Sequence, residues 1–107
     1  MQNSSFIAGD WVSGESEVEN RNPSDVSDLI GTYAQAGENQ VETALDAARA
    51  AQVTWQNSGL EQRYNALMAI GQEMMARSAE LGELLSREEG KPRAEGVGEV
   101  YRAGQFF

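Results

Sequence analysis

The chain has 107 residues, 8 Lys plus Arg against 17 Asp plus Glu, and neither Cys nor His. The absence of Cys and His excludes disulfides, a thiolate nucleophile, an imidazole base and a zinc-finger site within the chain. A formal charge of −9 opposes binding to nucleic acid or to an anionic membrane, because such binding needs clustered Lys and Arg. Residues 1–5 lack the features of a signal peptide, and no apolar run approaches a membrane span, so the sequence predicts a soluble cytoplasmic protein.

The first third of the chain has the composition of β-strands. Residues 6–12 predict a short strand or a tight hairpin, and residues 18–21 predict a further extended piece. The run Asn22-Pro23-Ser24-Asp25 predicts a turn, because Pro fixes φ and Asn and Asp hydrogen-bond to nearby backbone. Residues 29–34 return to a β-prone composition. We expect one small antiparallel sheet.

Two helices are predicted next. Asn39 with Glu42 resembles a capping box and predicts the start of the first helix. Ser58 with Glu61 predicts a second capping box, in which each side chain accepts a hydrogen bond from the backbone amide of the other residue. Apolar stripes follow both starts: Val41, Ala44, Leu45, Ala48, Ala51 and Trp55 in the first helix, and Leu60, Tyr64, Leu67, Met68, Gly71, Met74 and Met75 in the second.

The remaining residues predict two more helices. A third helix begins near Ser78 and ends at Gly90-Lys91-Pro92, a C-terminal glycine followed by a residue that cannot continue the helix. The last segment, residues 93–107, has a weak helical periodicity of apolar residues, and its three glycines lower its helix propensity. We expect a truncated piece, because two uncovered aromatic residues, Phe106-Phe107, stand last. The overall prediction is an α+β segment with strands and turns over residues 1–37 and helices over residues 38–107.

Three local motifs are weighed against plain structural explanations. Gly96-Val97-Gly98 is rejected as a dinucleotide fingerprint, because the segment before it is helical. Gly90-Lys91 is interpreted as a helix cap with a solvated lysine. The acidic cluster around it is interpreted as a solvated face. From the residues alone, the segment supplies no catalytic group and no cofactor cradle.

The order of five features resembles a known family. They are Phe6-Ile7-Ala8-Gly9-Asp10-Trp11, the Asn22-Pro23 turn, an Ala-rich helix ending at Trp55, Arg63 in the next helix, and Leu85-Ser86-Arg87-Glu88-Glu89-Gly90-Lys91-Pro92. Together they resemble the amino-terminal region of the NAD(P)-dependent aldehyde dehydrogenases. Residues 94–107 look most like the branch that oxidises 2-oxoglutarate semialdehyde (2,5-dioxopentanoate).

The resemblance implies that residues 1–107 form the amino-terminal part of the cofactor-binding domain of an α/β enzyme. In that family a cysteine thiolate attacks the aldehyde, hydride passes to NAD or NADP, and a glutamate activates water. All of these groups would lie beyond Phe107, so no catalytic and no cofactor-binding residue is assigned within the chain. The implied partners are the remainder of the parent chain, a small-molecule aldehyde and further copies of the enzyme in a homo-oligomer.

One metal site is implied by the same resemblance. Family members hold a structural monovalent cation with backbone carbonyls and one acidic side chain, and the matching positions are Asn20, Arg21 and Glu99. Hard cations favour such oxygen ligands. The alternative is that Glu99 is a solvated helix carboxylate.

A second function from another class stays open at this point. The chain could be a small acidic α+β interaction module that docks a partner through Phe106, Phe107 and the Met stripe. That module predicts a cooperative thermal transition for the isolated chain. A piece of an enzyme predicts a poorly cooperative, aggregation-prone species, because its helix faces lack their partners.

Overall fold

The computed structural model describes residues 4–107. It has the α+β order that the sequence predicts, with strands first and helices after them. The strands are β1 (Ser5–Ile7), β2 (Asp10–Val12), β3 (Ser16–Asn22) and β4 (Asp25–Gln35). The helices are α1 (Glu38–Asn57), α2 (Leu60–Ala76), α3 (Ser78–Glu89) and α4 (Arg93–Gly104). The chain divides into two compact units: residues 31–58 with those up to Asn20, and residues 21–30 with 59–107.

The hairpin predicted over residues 6–12 is confirmed. Strands β1 and β2 pair antiparallel, with Phe6 opposite Trp11, and their ring centroids lie 5.0 Å apart. The two residues that connect the strands both have positive φ, 56° at Ala8 and 97° at Gly9. Two successive residues in that region are typical of the type I′ turn, whose twist matches that of the flanking strands.

The expectation of one small sheet is wrong, because the four strands form two separate two-stranded sheets, β1–β2 and β3–β4. Strands of three residues, such as β1 and β2, present few backbone groups to a further strand. The turn at Asn22-Pro23-Ser24-Asp25 joins β3 to β4 as predicted. In this turn the Ser24 amide donates to Asn22 Oδ1 over 2.9 Å, the local hydrogen bond that makes Asn favourable there.

Helix α1 has its N-cap two residues before the predicted one, which corrects the capping box assigned to Asn39 and Glu42. Its N-cap is Gly37, whose amide donates to Gln40 Oε1 over 3.2 Å. The same Gln40 side chain donates through Nε2 to the Ser13 carbonyl over 2.7 Å. One amide side chain therefore caps the helix and anchors the loop before it, which favours the earlier start.

The predicted capping box at Ser58 and Glu61 is also wrong. The Ser58 hydroxyl donates to the Trp55 carbonyl over 2.6 Å, so it closes the end of α1. Helix α2 has Gly59 as its N-cap, without a side-chain hydrogen bond. Ser competes for nearby backbone groups on both sides, and here the preceding helix takes its hydroxyl. The predicted end of α3 is confirmed, since its C-cap Gly90 is left-handed with φ of 71°.

In the second unit, glycines bring the helices together, which corrects the view that they only dilute α4. Helices α3 and α4 meet where a Cβ on Gly96 would lie 2.4 Å from the Gly82 carbonyl oxygen. Helices α2 and α4 meet where a Cβ on Gly104 would lie 2.8 Å from the Gly71 carbonyl oxygen. Only glycine permits such close backbone approach. Val100, 8% exposed, is the buried hydrophobic residue of the described chain.

In the first unit, α1 lies against the β1–β2 hairpin and leaves a groove of about 420 Å³. None of the 20 residues of α1 is buried. Within residues 4–107, no helix is long and apolar enough to cross a membrane. The groove is lined by Phe6, Ile7, Ala8, Gly9, Ala44, Ala47, Ala48 and Ala51.

Candidate functional site

Two of the segments that carry the family resemblance meet in the second unit. The Ser24 hydroxyl, in the β3–β4 turn, donates to the carbonyl of Gly90 over 3.2 Å, across 66 positions of sequence. A Cβ on Gly90 would lie 2.7 Å from Ser24 Oγ and 2.9 Å from Pro23 Cγ. Glycine at position 90 therefore serves both the left-handed cap and the close approach of the turn. We call this place the junction, and define it by Asn22–Asp25, Asp28, Ser86–Lys91 and Glu99.

A two-pronged ion pair holds the junction together. Arg87 donates through Nε to Asp28 Oδ2 over 2.9 Å and through Nη2 to Asp28 Oδ1 over 2.6 Å. Asn22 Nδ2 adds a third donor to this carboxylate at 3.3 Å. The hydrogen bonds from Arg87, followed by that from Asn22, hold the pKa of Asp28 below its usual range. Bidentate pairing of this kind fixes orientation as well as charge.

A second charged group at the junction centres on Lys91, which is the only lysine in the 107 residues. Its Nζ lies 2.6 Å from Glu89 Oε2 and donates to Glu99 Oε1 and Oε2 over 2.8 and 2.7 Å. The side chain is 17% exposed, so the interpretation of Lys91 as a solvated lysine is wrong. Hydrogen bonds to Glu89 and then to Glu99 raise the pKa of Lys91.

The backbone around Lys91 is held by one residue of α3, Ser86. The Ser86 carbonyl accepts hydrogen bonds from the amides of Gly90 and Lys91, over 2.8 and 3.2 Å. The Ser86 hydroxyl in turn donates to the Lys91 carbonyl. These bonds satisfy groups that a helix end otherwise leaves open. The ammonium therefore extends from a backbone position held on both sides.

The three residues predicted to hold a cation lie on two elements. Asn20 and Arg21 follow one another on β3, and Arg21 Nη1 donates to the Val26 carbonyl over 3.2 Å. Glu99 lies on α4, where both of its oxygens accept from Lys91. Among residues 4–107 there is no group of three or more His, Cys, Asp or Glu arranged to hold a metal ion. The cation set stays a prediction, and an ion at Glu99 would share that carboxylate with Lys91.

Gly96 and Gly104, two of the three glycines of α4, have a packing role. Gly96 lies inside α4 against Gly82, so its backbone amide belongs to a helix interior and does not face an open phosphate cradle. The junction itself offers fixed charges and hydrogen bonds, which position backbone. The thiolate that the resemblance implies would have to come from outside this chain, because the chain contains no cysteine.

Sequence reasoning missed the pairing of Asp28 with Arg87. The two residues are 59 positions apart, and neither belongs to a periodic pattern that points toward the other. Their pairing follows from the way the β3–β4 turn reaches the end of α3. The only indication in the sequence is that Arg87 lies inside one of the segments that resemble the family.

Residues 11–107 match the model of the aldehyde dehydrogenase family. The chain therefore belongs to the aldehyde dehydrogenase family, as the motif order predicts.

Three individual relatives show how similar the chain is to known proteins. The chain is 38% identical over 104 residues to the alpha-ketoglutarate semialdehyde dehydrogenase of Haloferax volcanii, covering 95% of this chain and 22% of that protein. An NADP-dependent E. coli enzyme is 28% identical, with a TM-score of 0.92 over 98% of this chain and 22% of the other. An NAD-dependent benzaldehyde dehydrogenase of Corynebacterium glutamicum is 28% identical, with a TM-score of 0.88 over 96% of this chain and 23% of the other. The chain thus spans about a fifth of the length of these relatives.

Proposed function

We propose that this chain forms the amino-terminal part of the cofactor-binding domain of a cytoplasmic NAD(P)-dependent aldehyde dehydrogenase. The family match over residues 11–107 is the observation that carries the proposal. The 38% identity to a semialdehyde dehydrogenase supports 2-oxoglutarate semialdehyde as the substrate to test first. The enzyme is proposed to act as a homo-oligomer.

Within that enzyme the chain has a supporting role. Bound NAD or NADP supplies a hydride acceptor for the oxidation of an aldehyde to a carboxylate. The residues described here hold the β3–β4 turn against the end of α3, through Ser24 with Gly90 and Arg87 with Asp28. Rigid support of this kind keeps loops and helix ends at fixed positions.

The exposed apolar side chains support a position inside a larger domain. Val41 and Leu45 on α1 are each 50% exposed, and Leu60 and Phe106 are 78% and 77% exposed. Apolar surface on this scale is typical of faces that pack on another part of a protein. We propose that the remainder of the parent chain covers these faces.

The direct test is to express the natural full-length protein and follow the formation of NAD(P)H. We expect turnover with 2-oxoglutarate semialdehyde, and a higher kcat/KM for it than for benzaldehyde. Separate reactions with NAD and with NADP assign the cofactor, and 2-oxoglutarate in place of the aldehyde is the control. Absence of turnover with every aldehyde and both cofactors would refute the proposed activity.

The isolated chain separates the proposal from the interaction-module alternative. We expect residues 1–107 alone to melt without a sharp transition and to scatter light on heating, because the apolar faces of α1 and α2 lack their cover. Circular dichroism with light scattering measures both properties. A sharp, reversible transition without aggregation would favour a self-sufficient module.

A further inference from the structure

In the second unit, helix α4 runs back along α3 and then along α2. Near its start, a Cβ on Gly96 would lie 2.4 Å from the Gly82 carbonyl oxygen. Further along, a Cβ on Gly104 would lie 2.8 Å from the Gly71 carbonyl oxygen. Beyond that point, a Cβ on Gly71 would lie 3.1 Å from the Cβ of Phe107. As residue numbers rise along α4, the numbers of the facing residues therefore fall, which is the order of an antiparallel pair.

The half of α2 that precedes Gly71 has an apolar face that the described chain leaves uncovered. Leu60, Tyr64 and Leu67 are 78%, 59% and 38% exposed. Together with Gly71 they follow one another at intervals of four, three and four residues, so all four lie on one side of the helix. The face that contacts α4 at Gly71 therefore continues toward the start of α2 with large apolar side chains. Such a surface is typical of one that packs on another part of a protein.

The backbone at the end of α4 differs from that at the end of α3. Helix α3 ends at Gly90, whose φ of 71° is left-handed, and Pro92 follows two residues later. The residue after α4, Gln105, keeps right-handed helical angles, with φ of −74° and ψ of −16°. Its amide donates to the Tyr101 carbonyl over 3.3 Å, which is the pairing of an α-helix. The backbone at Gln105 therefore has the geometry of a helix that continues.

We infer that α4 continues past Phe107 in the full-length protein and covers Leu60, Tyr64 and Leu67. The segment that directly follows Phe107 is thus the occupant of this face of α2. The inference rests on the proposed function, because it requires a parent chain longer than the 22% of a relative that this chain spans. About 11 further helical residues would reach from Gly71 back to Leu60, because two antiparallel helices have the same rise per residue.

The first test places a photoreactive amino acid, p-benzoylphenylalanine, at the position of Tyr64 in the full-length protein. Irradiation links this side chain to a C–H bond of the group that covers it, and mass spectrometry of the digested protein identifies the linked peptide. We expect the link to fall within about 15 residues after Phe107. The matched control carries the same amino acid at Gln62, which is exposed and lies on the opposite side of α2. It should not link to that segment.

Each other result of this test would overturn the inference. A covalent dimer on a denaturing gel would show that a second copy covers the face. A link to any other segment of the same chain would show a different cover. Linking no stronger at position 64 than at position 62 would show that the face remains in solvent.

The second test is hydrogen exchange, which uses the unaltered full-length protein and decides the question if the photoreactive variant does not fold. We expect about the first 11 amides after Phe107 to exchange slowly, as in a packed helix. Leu67→Gln should speed exchange in that segment about tenfold or more, because it places an amide group in the covered face. Ala69→Gln adds the same side chain on the exposed, opposite side of α2 and should have little effect. Rapid exchange of the segment in the unaltered protein, or equal effects of the two variants, would refute the inference.

Failure of this inference is distinguishable from failure of the proposed function, because neither test requires turnover. An active dehydrogenase in which position 64 links elsewhere would refute only the cover of α2. A full-length protein with the expected link, but without turnover of any aldehyde, would refute only the proposed activity.

Discussion

Helices α1 and α4 show opposite relations between apolar pattern and burial. Helix α1 has 20 residues and a clear apolar stripe, yet none of its residues is buried within the described chain. Helix α4 has 12 residues and three glycines, yet it buries Gly96, Val100 and Gly104. The packing of α4 depends on close backbone approach, whereas apolar side chains of α1 such as Val41 and Leu45 remain half exposed within residues 4–107. A strong stripe therefore shows that a face needs a partner, but it does not show which partner.

The largest expected effect comes from adding a methyl group to the helix contact. Gly96→Ala should destabilise the protein by about 3 kcal/mol, because the new Cβ would meet the Gly82 carbonyl in an already filled space. Gly98→Ala is the matched control on the same helix. It meets nothing within 4 Å and should stabilise by up to about 1 kcal/mol through helix propensity. Urea unfolding of the full-length variants measures both, and equal effects would refute the role of close approach.

The second effect tests whether the stripe of α1 is covered in the full-length protein. Leu45 is 50% exposed within the described chain. If the rest of the protein packs on it, Leu45→Ala should lower the free energy of unfolding by about 2 kcal/mol. Glu42→Ala, on the same helix but outside the stripe, should change stability little. Both variants are compared by urea unfolding of the full-length protein. A similarly small effect at Leu45 would mean that the face remains in solvent.

A third effect compares ion pairs from the two units. Asp28 and Arg87 have side chains 29% and 35% exposed, whereas Asp46 and Arg49 are 77% and 74% exposed. We expect Asp28→Asn to lower the unfolding midpoint clearly and Asp46→Asn to change it little, because solvent and salt screen the exposed pair. Raising NaCl should leave this ranking unchanged, and reversal of the ranking would contradict the argument from exposure.

The smallest expected effect is the pH dependence of the stability that the Asp28–Arg87 pair contributes. Its pairing with Arg87 lowers the pKa of Asp28, so the unfolded state binds a proton at this residue more readily than the folded state. The contribution to stability is therefore complete above the unfolded value of about 3.9 and is lost as pH falls through the lower folded value. The gap in unfolding midpoint between the unaltered protein and Asp28→Asn should be constant at neutral pH and shrink below about pH 4. In a background carrying Arg87→Met, the gap should depend on acid less strongly, because only Asn22 then donates to the Asp28 carboxylate.

Periodicity and turn chemistry predict most of the fold. The hairpin over residues 6–12, the Asn22-Pro23 turn and the glycine end of α3 depend on local backbone preferences, and the structure confirms all three. Both predicted capping boxes are wrong, because the observed caps do not depend on local backbone preferences alone. The cap at Gly37 depends on Gln40 reaching the Ser13 carbonyl, and the Ser58 hydroxyl bonds to the end of α1. Competition among nearby acceptors is settled by tertiary geometry, which a short motif does not contain.

The candidate site is less predictable than the fold. The residue types at Glu99 and Lys91 were visible in the sequence, but their contact joins the end of one helix to the second turn of the next. The Asp28–Arg87 pair joins residues 59 positions apart. Charged residues have many alternative partners in an acidic chain, so the sequence does not single out one pairing. The order of motifs identifies the family, because it uses features of the whole segment. It does not identify individual ion pairs, because each pair depends on the tertiary structure.

The Asp28–Arg87 contact has a consequence for the order of folding. It closes a loop of 59 residues, and the entropy lost in closing a loop rises with its length. The contacts of α3 with α4 join neighbouring helices and close much shorter loops. We expect the helices to associate early and the β3–β4 turn to lock onto the end of α3 late, after the main barrier. Asp28→Asn should therefore speed unfolding while leaving the refolding rate nearly unchanged in stopped-flow experiments, so that the junction acts as the final latch of the second unit.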